Sequence, residues 1–217
     1  MDVNKNKRRI PLREQAYQEI KQRILTCEFA PGEFLNESYL QDELSLGRSP
    51  INQALHRLAV EGLVDIYPRK GVMVSQLSLN EVIEMIEVRL VNECMAVRLA
   101  TERAQASEIE AMREILSETP KAIENRDLTA LMRIDLRFHN AITAASRNRV
   151  LSDILSGLHE RQARFWFLSL SAKEQMTRAY EEHVEIVEAI SQRDSALAEQ
   201  AMIRHVENFR KNIVATI

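Results

Sequence analysis

Glycine and proline are scarce in this 217-residue chain, at five each. That scarcity argues against a turn-rich all-β fold and favours long helices. Cysteine is scarcer still: Cys27 and Cys94 form no repeating pattern, so a disulfide scaffold is excluded. Aromatic residues make up only 5% of the chain. No apolar run reaches the ~18 residues a bilayer-spanning helix needs. The basic opening MDVNKNKRRIPL leads into no hydrophobic segment, so it does not read as a secretory signal. The expectation is a soluble, cytoplasmic protein with no membrane partner. A global excess of positive charge is also missing, since the net charge is −3. The average hides a slight polarity, with 11 Lys/Arg against 10 Asp/Glu in residues 1–77 and 18 against 22 in the rest. Charge alone therefore makes no case for nucleic acid.

What the chain does have is hydrophobic periodicity, with 45% hydrophobic residues, enough for real cores. Residues 1–9 read as a basic arm. Apolar residues then recur at helical spacing from Leu12 to Cys27, and Pro31-Gly32 ends the run. A short helix through Leu44 follows, with Asn36 or Ser38 as its cap. After a break at Ser45-Leu46-Gly47, Ser49 is expected to cap a second helix that carries Pro50 in its first turn. Gly62 stops that helix. The runs Leu63–Tyr67 and Val72–Val74 flank the basic turn Pro68-Arg69-Lys70-Gly71 and predict a β-hairpin. Helix, tight turn, helix and basic hairpin together predict a winged helix-turn-helix over 10–77.

The second helix of that pair would enter a major groove. Arg48, Ser49, Asn52 and Gln53 stand near its start and Arg57 further along. Arginine can take guanine O6/N7 in a fork, and Asn or Gln can pair with adenine. Arg69, Lys70 and Gly71 at the hairpin tip suit phosphate or minor-groove contacts. Lys5, Lys7, Arg8 and Arg9 add candidate phosphate contacts.

The stretch APGEFLNESYLQDELSLGRSPINQALHRLAVEGLVDIYPRKGVMVSQLS resembles the N-terminal domain of GntR-family bacterial transcription regulators. The shared marks include the Pro-Gly turn, Arg-Ser-Pro, Ala-Leu-x-Arg-Leu, Glu-Gly-Leu-Val and Arg-Lys-Gly, in order. Two positions depart. Gly47 stands where the family usually has Ser or Thr, and Asn52-Gln53 where Arg-Glu is common. Arg48 is the safest contact to carry over, and Asn52 implies a changed operator preference.

Residues 78–217 carry six helical segments, roughly 80–103, 107–125, 128–146, 148–169, 173–192 and 195–216. Short connections predict an all-α antiparallel bundle, with Ser78 or Asn80 capping its first helix. Asp135 and His139 lie four apart and so share a helix face. His183 and His205 fall at inward-facing phases of two later helices. One carboxylate and three imidazoles with open positions suit a divalent transition metal: Zn first, then Ni, Mn or Fe. His56 and His159 do not fit the set and read as surface or packing residues. Arg161, Arg164, Trp166 and Asn208 can complete a pocket, periodicity not choosing among them. Phe165-Trp166-Phe167 reads better as core or a dimer contact. Arg133 and Arg137 read as solvent or salt-bridge residues.

This half resembles the all-helical FCD effector domain of the FadR-type branch, in its shorter six-helix, VanR-like group. Asp135-Leu-Arg-Phe-His139, Glu182-His183 and Arg204-His205 match the ligand positions of that domain. Glu87-Val-Arg89-Leu, with Glu93 one turn on, matches its opening helix. The resemblance implies a metal that helps hold a small carboxylate effector, with Arg89 pairing with the acid and Glu93 nearby.

The expected function is a dimeric transcription regulator, a repressor more often than an activator in this family, on a palindromic double-stranded operator. A small organic acid would shift the dimer's fit to its half-sites. Two alternatives stay open. One is a metal-responsive regulator with no organic effector. The other is a helical-bundle metalloenzyme, disfavoured because no general base or nucleophile motif stands beside the ligands.

Overall fold

The computed structural model describes residues 10–76, 78–169 and 172–216. The expected basic arm at 1–9 lies outside them. The chain divides into two compact units, with the boundary between residues 76 and 77.

The first unit holds α1 (Leu12–Leu25), β1 (Phe34–Leu35), α2 (Glu37–Leu44), α3 (Arg48–Val60), β2 (Val64–Tyr67) and β3 (Gly71–Val74). Ala16, Ile20 and Ile24 of α1 meet Ile51, Leu55 and Leu58 of α3 in its core. Asn36 caps α2, its side chain accepting from the Tyr39 amide at 3.1 Å. The two helices are joined by a turn with Ser45 in the left-handed region at φ 51°.

Ser49 does not cap α3. The helix starts two residues earlier than that cap would allow, at Arg48, and its cap is Gly47, which has no side chain to offer. Gly62 ends α3 at φ 73°, and the Leu63 amide reaches back to the Leu58 carbonyl. This left-handed closure is the one glycine favours.

The hairpin pairs Tyr67 with Gly71 and Val64 with Val74. A third strand, β1, was not expected. Phe34 and Leu35 pair with Met73 and Val72, giving the antiparallel order β1-β3-β2. Two residues are too few to show an alternation in sequence, so only the partner strand defines them.

The second unit is wholly helical among the described residues: α4 (Leu79–Arg103), α5 (Ala106–Ser117), α6 (Thr119–Glu124), α7 (Leu128–Ala145), α8 (Arg149–Ser169), α9 (Lys173–Ser191) and α10 (Ser195–Thr216). Ser78 caps α4 through the Glu81 amide. The segment expected as one helix over 107–125 is two, broken at Glu118. Pro120 lies in the first turn of α6, where its missing N–H costs nothing, whereas inside a continuous helix it would break the ladder.

With so few glycines, arginine takes the left-handed closing position after three helices. Arg126, Arg147 and Arg193 have φ of 53°, 56° and 60°. Arg193 also donates to the carbonyls of Thr101 and Ala104, at 2.8 and 2.6 Å, and so closes the end of α4. The core runs through Ile86, Val97, Met112, Phe138, Ile142, Leu155, Ile186, Ile190, Met202 and Val206. Phe165 belongs to it, as expected. No helix is long and apolar enough to cross a membrane among the described residues.

Candidate metal centre and effector pocket

Five helices of the bundle deliver polar side chains to one interior point. Asp135 and His139 come from α7, His183 from α9 and His205 from α10. Glu93 and Arg89 stand on α4, His159 and Gln162 on α8. His139, His183 and His205 are all buried, and Asp135 is partly exposed. The four expected ligands each offer an atom within 4.8 Å of the others. His183 Nε2 is 3.3 Å from His205 Nε2 and 3.5 Å from Asp135 Oδ1, and His139 Nε2 is 3.9 Å from Asp135 Oδ1. For bonds of 2.0–2.1 Å, the edges of a coordination tetrahedron are about 3.3 Å.

The outer nitrogens support the same chemistry. His205 Nδ1 stands 3.0 Å from Glu182 Oε2, so it carries the proton and leaves Nε2 as a lone-pair donor toward the centre. Glu182 is itself held by Asn208 at 2.7 Å. His139 Nδ1 lies 2.9 Å from Glu93 Oε1, although its N–H is not aimed straight at that oxygen. A carboxylate behind a histidine fixes the ring and raises its donor strength. The donor set, its spacing and these outer partners fit a divalent transition metal.

Electrostatics favour neutral imidazoles. Burial pushes His139 down to about 4, against the opposing pull of Glu93. Burial and the neighbouring His205 and His139 hold His183 well below the ordinary histidine value. Burial alone would raise Glu93, but the imidazoles of His139 and His159 outweigh it and keep Glu93 ionised, well below the carboxylate range. A neutral imidazole is the form that binds metal.

A cleft opens beside this point, lined by Arg89, Asp135, Trp166, Glu182, His205 and Asn208 among others. Gln175, Arg178 and Asn212 also line it. A second, more apolar cavity shares Asp135 and Trp166 and adds Leu131, Ile134 and Met176. The buried Arg89 guanidinium is held by Glu93 (3.3 Å) and Gln162 (3.4 Å) and reaches His139 Nε2 at 3.1 Å.

Of the residues expected around an effector, Arg89, Trp166 and Asn208 line the cleft and two others do not. Glu93 is fully buried and is not among the residues lining the cleft; Arg89 Nε and His159 Nε2 donate to its Oε1, and His139 Nδ1 lies 2.9 Å from it. Arg161 pairs with Glu81 and is absent from the cleft wall. Arg164 is buried and does not line it either. His159 is no surface residue: it is buried, with Nε2 2.6 Å from Glu93 Oε1. Sequence reasoning took it for a bystander because its link to the site runs through Glu93, 66 residues away. The Arg137–Glu118 pair at 2.9 Å is the exposed salt bridge expected of Arg137.

On the first unit, Arg48, Ser49, Gln53 and His56 are exposed along α3, while Asn52 is half-buried. Gln53 donates to Ser49 Oγ at 3.3 Å. Arg69 and Lys70 are exposed at the hairpin tip. Arg57, further along α3, is exposed and already has partners within the unit. Its guanidinium stacks 3.4 Å from the Tyr17 ring centre and pairs with Glu14 and Glu61 at 3.0 and 3.2 Å, so its charge is committed within the unit.

Comparison with known proteins gives two matches along the chain. Residues 12–74 match the gntR family of bacterial regulatory proteins, and residues 84–208 match the FCD domain. The chain is 29% identical to the HTH-type transcriptional regulator YdhC of Bacillus subtilis, over 94% of this chain and 92% of that one. It is 25% identical to the HTH-type transcriptional repressor RspR of Escherichia coli, over 94% and 89%. Among solved structures, E. coli McbR/YncC superposes with a TM-score of 0.83 at 20% identity, covering 96% of this chain and 98% of that one.

Proposed function

From its membership of the gntR family of bacterial regulatory proteins, with an FCD domain as its second unit, we propose that this transcription regulator changes its operator affinity when a small carboxylate metabolite binds beside a divalent metal. It is a regulator and not an enzyme, as its family and its relatives are. The metal ligands in this reading are Asp135, His139, His183 and His205, with zinc the first choice. The single observation that carries it is the convergence of those four donors beside a cleft that also presents Arg89.

A bound ion would supply an open Lewis-acidic position for a carboxylate or hydroxyl oxygen. The chain's own residues do the rest. Arg89 offers a charge-assisted, fork-shaped pair of donors to the acid. Asn208 and Trp166 shape the wall against which the remainder of the metabolite lies. Operator contacts fall to Arg48, Ser49, Asn52 and Gln53 on α3 and to Arg69, Lys70 and Gly71 on the wing. The regulator acts as a homodimer on a palindromic site, so that two copies of α3 meet successive major grooves. Repression is the favoured sense. A coupling of about 1–3 kcal/mol between effector and operator gives a 5–150-fold change in DNA affinity.

Metal analysis of protein purified without chelators, followed by operator titration with a panel of small organic acids, tests this. One ion per chain and an acid-dependent shift are expected. Arg89→Ala should weaken the acid far more than the metal. Operator binding that follows the metal alone, with no acid response, would favour a metal sensor. A protein that binds no ion refutes the ligand assignment.

A further inference from the structure

His139 can serve an ion in only one of its two neutral tautomers, and the groups behind it decide which. Arg89 Nη2 has only protons to offer and stands 3.1 Å from His139 Nε2. Nε2 is therefore the lone-pair nitrogen, and Nδ1 carries the proton. The acceptor facing Nδ1 is Glu93 Oε1, at 2.9 Å. That same oxygen receives His159 Nε2 at 2.6 Å, the tightest contact Glu93 makes, and Arg89 Nε at 3.3 Å. The ring centres of His139 and His159 lie 4.8 Å apart, and each ring brings one nitrogen to Glu93 Oε1.

Every member of this group is nearly inaccessible to water, so solvent cannot replace a lost donor. Glu93 Oε2 is buried with no hydrogen-bond partner, which leaves the position of the carboxylate to what Oε1 receives. Glu93, His139 and His159 together have the composition of a small metal site of their own. The 2.6 Å His159–Glu93 separation is that of a charge-assisted hydrogen bond, and the 2.9 Å His139–Glu93 separation is a close contact that a small turn of the ring would make into one; both are shorter than the edges between the ligands of one ion.

We propose that His159 and Glu93 form a positioning relay, in which His159 pins Glu93 and Glu93 holds His139 in the tautomer that turns Nε2 to the metal. The His159 ring also lies against that of His139, with centres 4.8 Å apart, but the link that orients Nδ1 runs through Glu93. This rests on the metal reading above, and the test separates the two.

His159→Gln keeps a side-chain N–H near the position of Nε2, whereas His159→Leu fills the space and offers none. Two measurements are made on the full chain: ¹⁵N NMR of the histidine rings without metal, and Zn²⁺ affinity by competition with a chromophoric chelator. In the wild type, His139 should be the Nδ1–H tautomer. In His159→Leu the tautomers should mix and zinc affinity should fall by about 10–100-fold, the usual effect of losing an outer partner. His159→Gln should restore both. If His159→Leu leaves tautomer and affinity unchanged, or His159→Gln loses as much as His159→Leu, the relay is wrong. Two zinc ions per chain in the wild type, one of them lost in His159→Leu, would mean that the group is itself a ligand set, and would also overturn it. If the wild type takes up no zinc, the metal reading falls, and the tautomer measurement still decides the relay.

Discussion

Stripped of metal, the second unit should lose stability in mild acid, and the site geometry sets how much. Burial holds His139 at about 4 in the folded protein, against 6.5 for an ordinary histidine. Between those values the unfolded chain takes up a proton that the folded one refuses. Stability is therefore full above the unfolded value and falls as pH drops through 6.5 toward 4. Linkage across that window gives a loss of about 2 kcal/mol between pH 7 and pH 5 from this one ring. His183 is shifted in the same direction and adds to the loss, and Glu93 adds to it further at still lower pH. Trp166 is the chain's single tryptophan and sits beside the cleft, so its fluorescence reports on this unit. Urea unfolding of chelator-treated protein at pH 7, 6 and 5 should show the midpoint falling. In His139→Asn the fall should shrink by about the share of one ring, ~2 kcal/mol. A midpoint that stays level from pH 7 to 5, or a fall of equal size in the variant, would refute the claim that buried neutral imidazoles form this centre.

Two further outcomes test other parts of the molecule. Arg48→Ala should abolish operator-specific binding while leaving zinc content and helicity intact, as measured by gel shift against specific and scrambled duplexes; unchanged discrimination would remove Arg48 from the reading surface. Arg126→Gly should raise the thermal midpoint by a few degrees, because a left-handed arginine costs about 1 kcal/mol relative to glycine. Arg193→Gly should lower it, because the same backbone relief is outweighed by two lost hydrogen bonds to the end of α4. Shifts of the same sign in both would show that the Arg193 side chain does nothing there.

The helices were legible because burial in a bundle imprints itself on every turn. Asp135 and His139 share a face by spacing alone, and His183 and His205 lie on stripes of buried neighbours such as Ile186, Val187, Ala201 and Val206. The wing was legible from its basic, glycine-ended turn. What escaped was whatever depends on a partner distant in the chain. β1 exists only because β3 lies beside it, and the place of His159 shows only once Glu93 and His139 are seen beside it. Arg57 and Arg161 looked available because periodicity gives exposure but not the acid that each has found. The break before α6 could have been read from Pro120, had its missing amide been weighed against the apolar stripe running through it.

Gly47 has a consequence for how the first unit meets a polyanion. A helix normally brings its own hydroxyl or carboxamide to quiet its leading amides, as Asn36 does for α2. At the mouth of α3 there is only a hydrogen, and a β-carbon built there would meet nothing within 4 Å. Pro50 brings no N–H, so the amides of Arg48 and Ser49 open α3 without a side-chain cap. A phosphate oxygen seated against them would take the place of the absent cap. A helix proposed to read a duplex would then be completed by the molecule it reads.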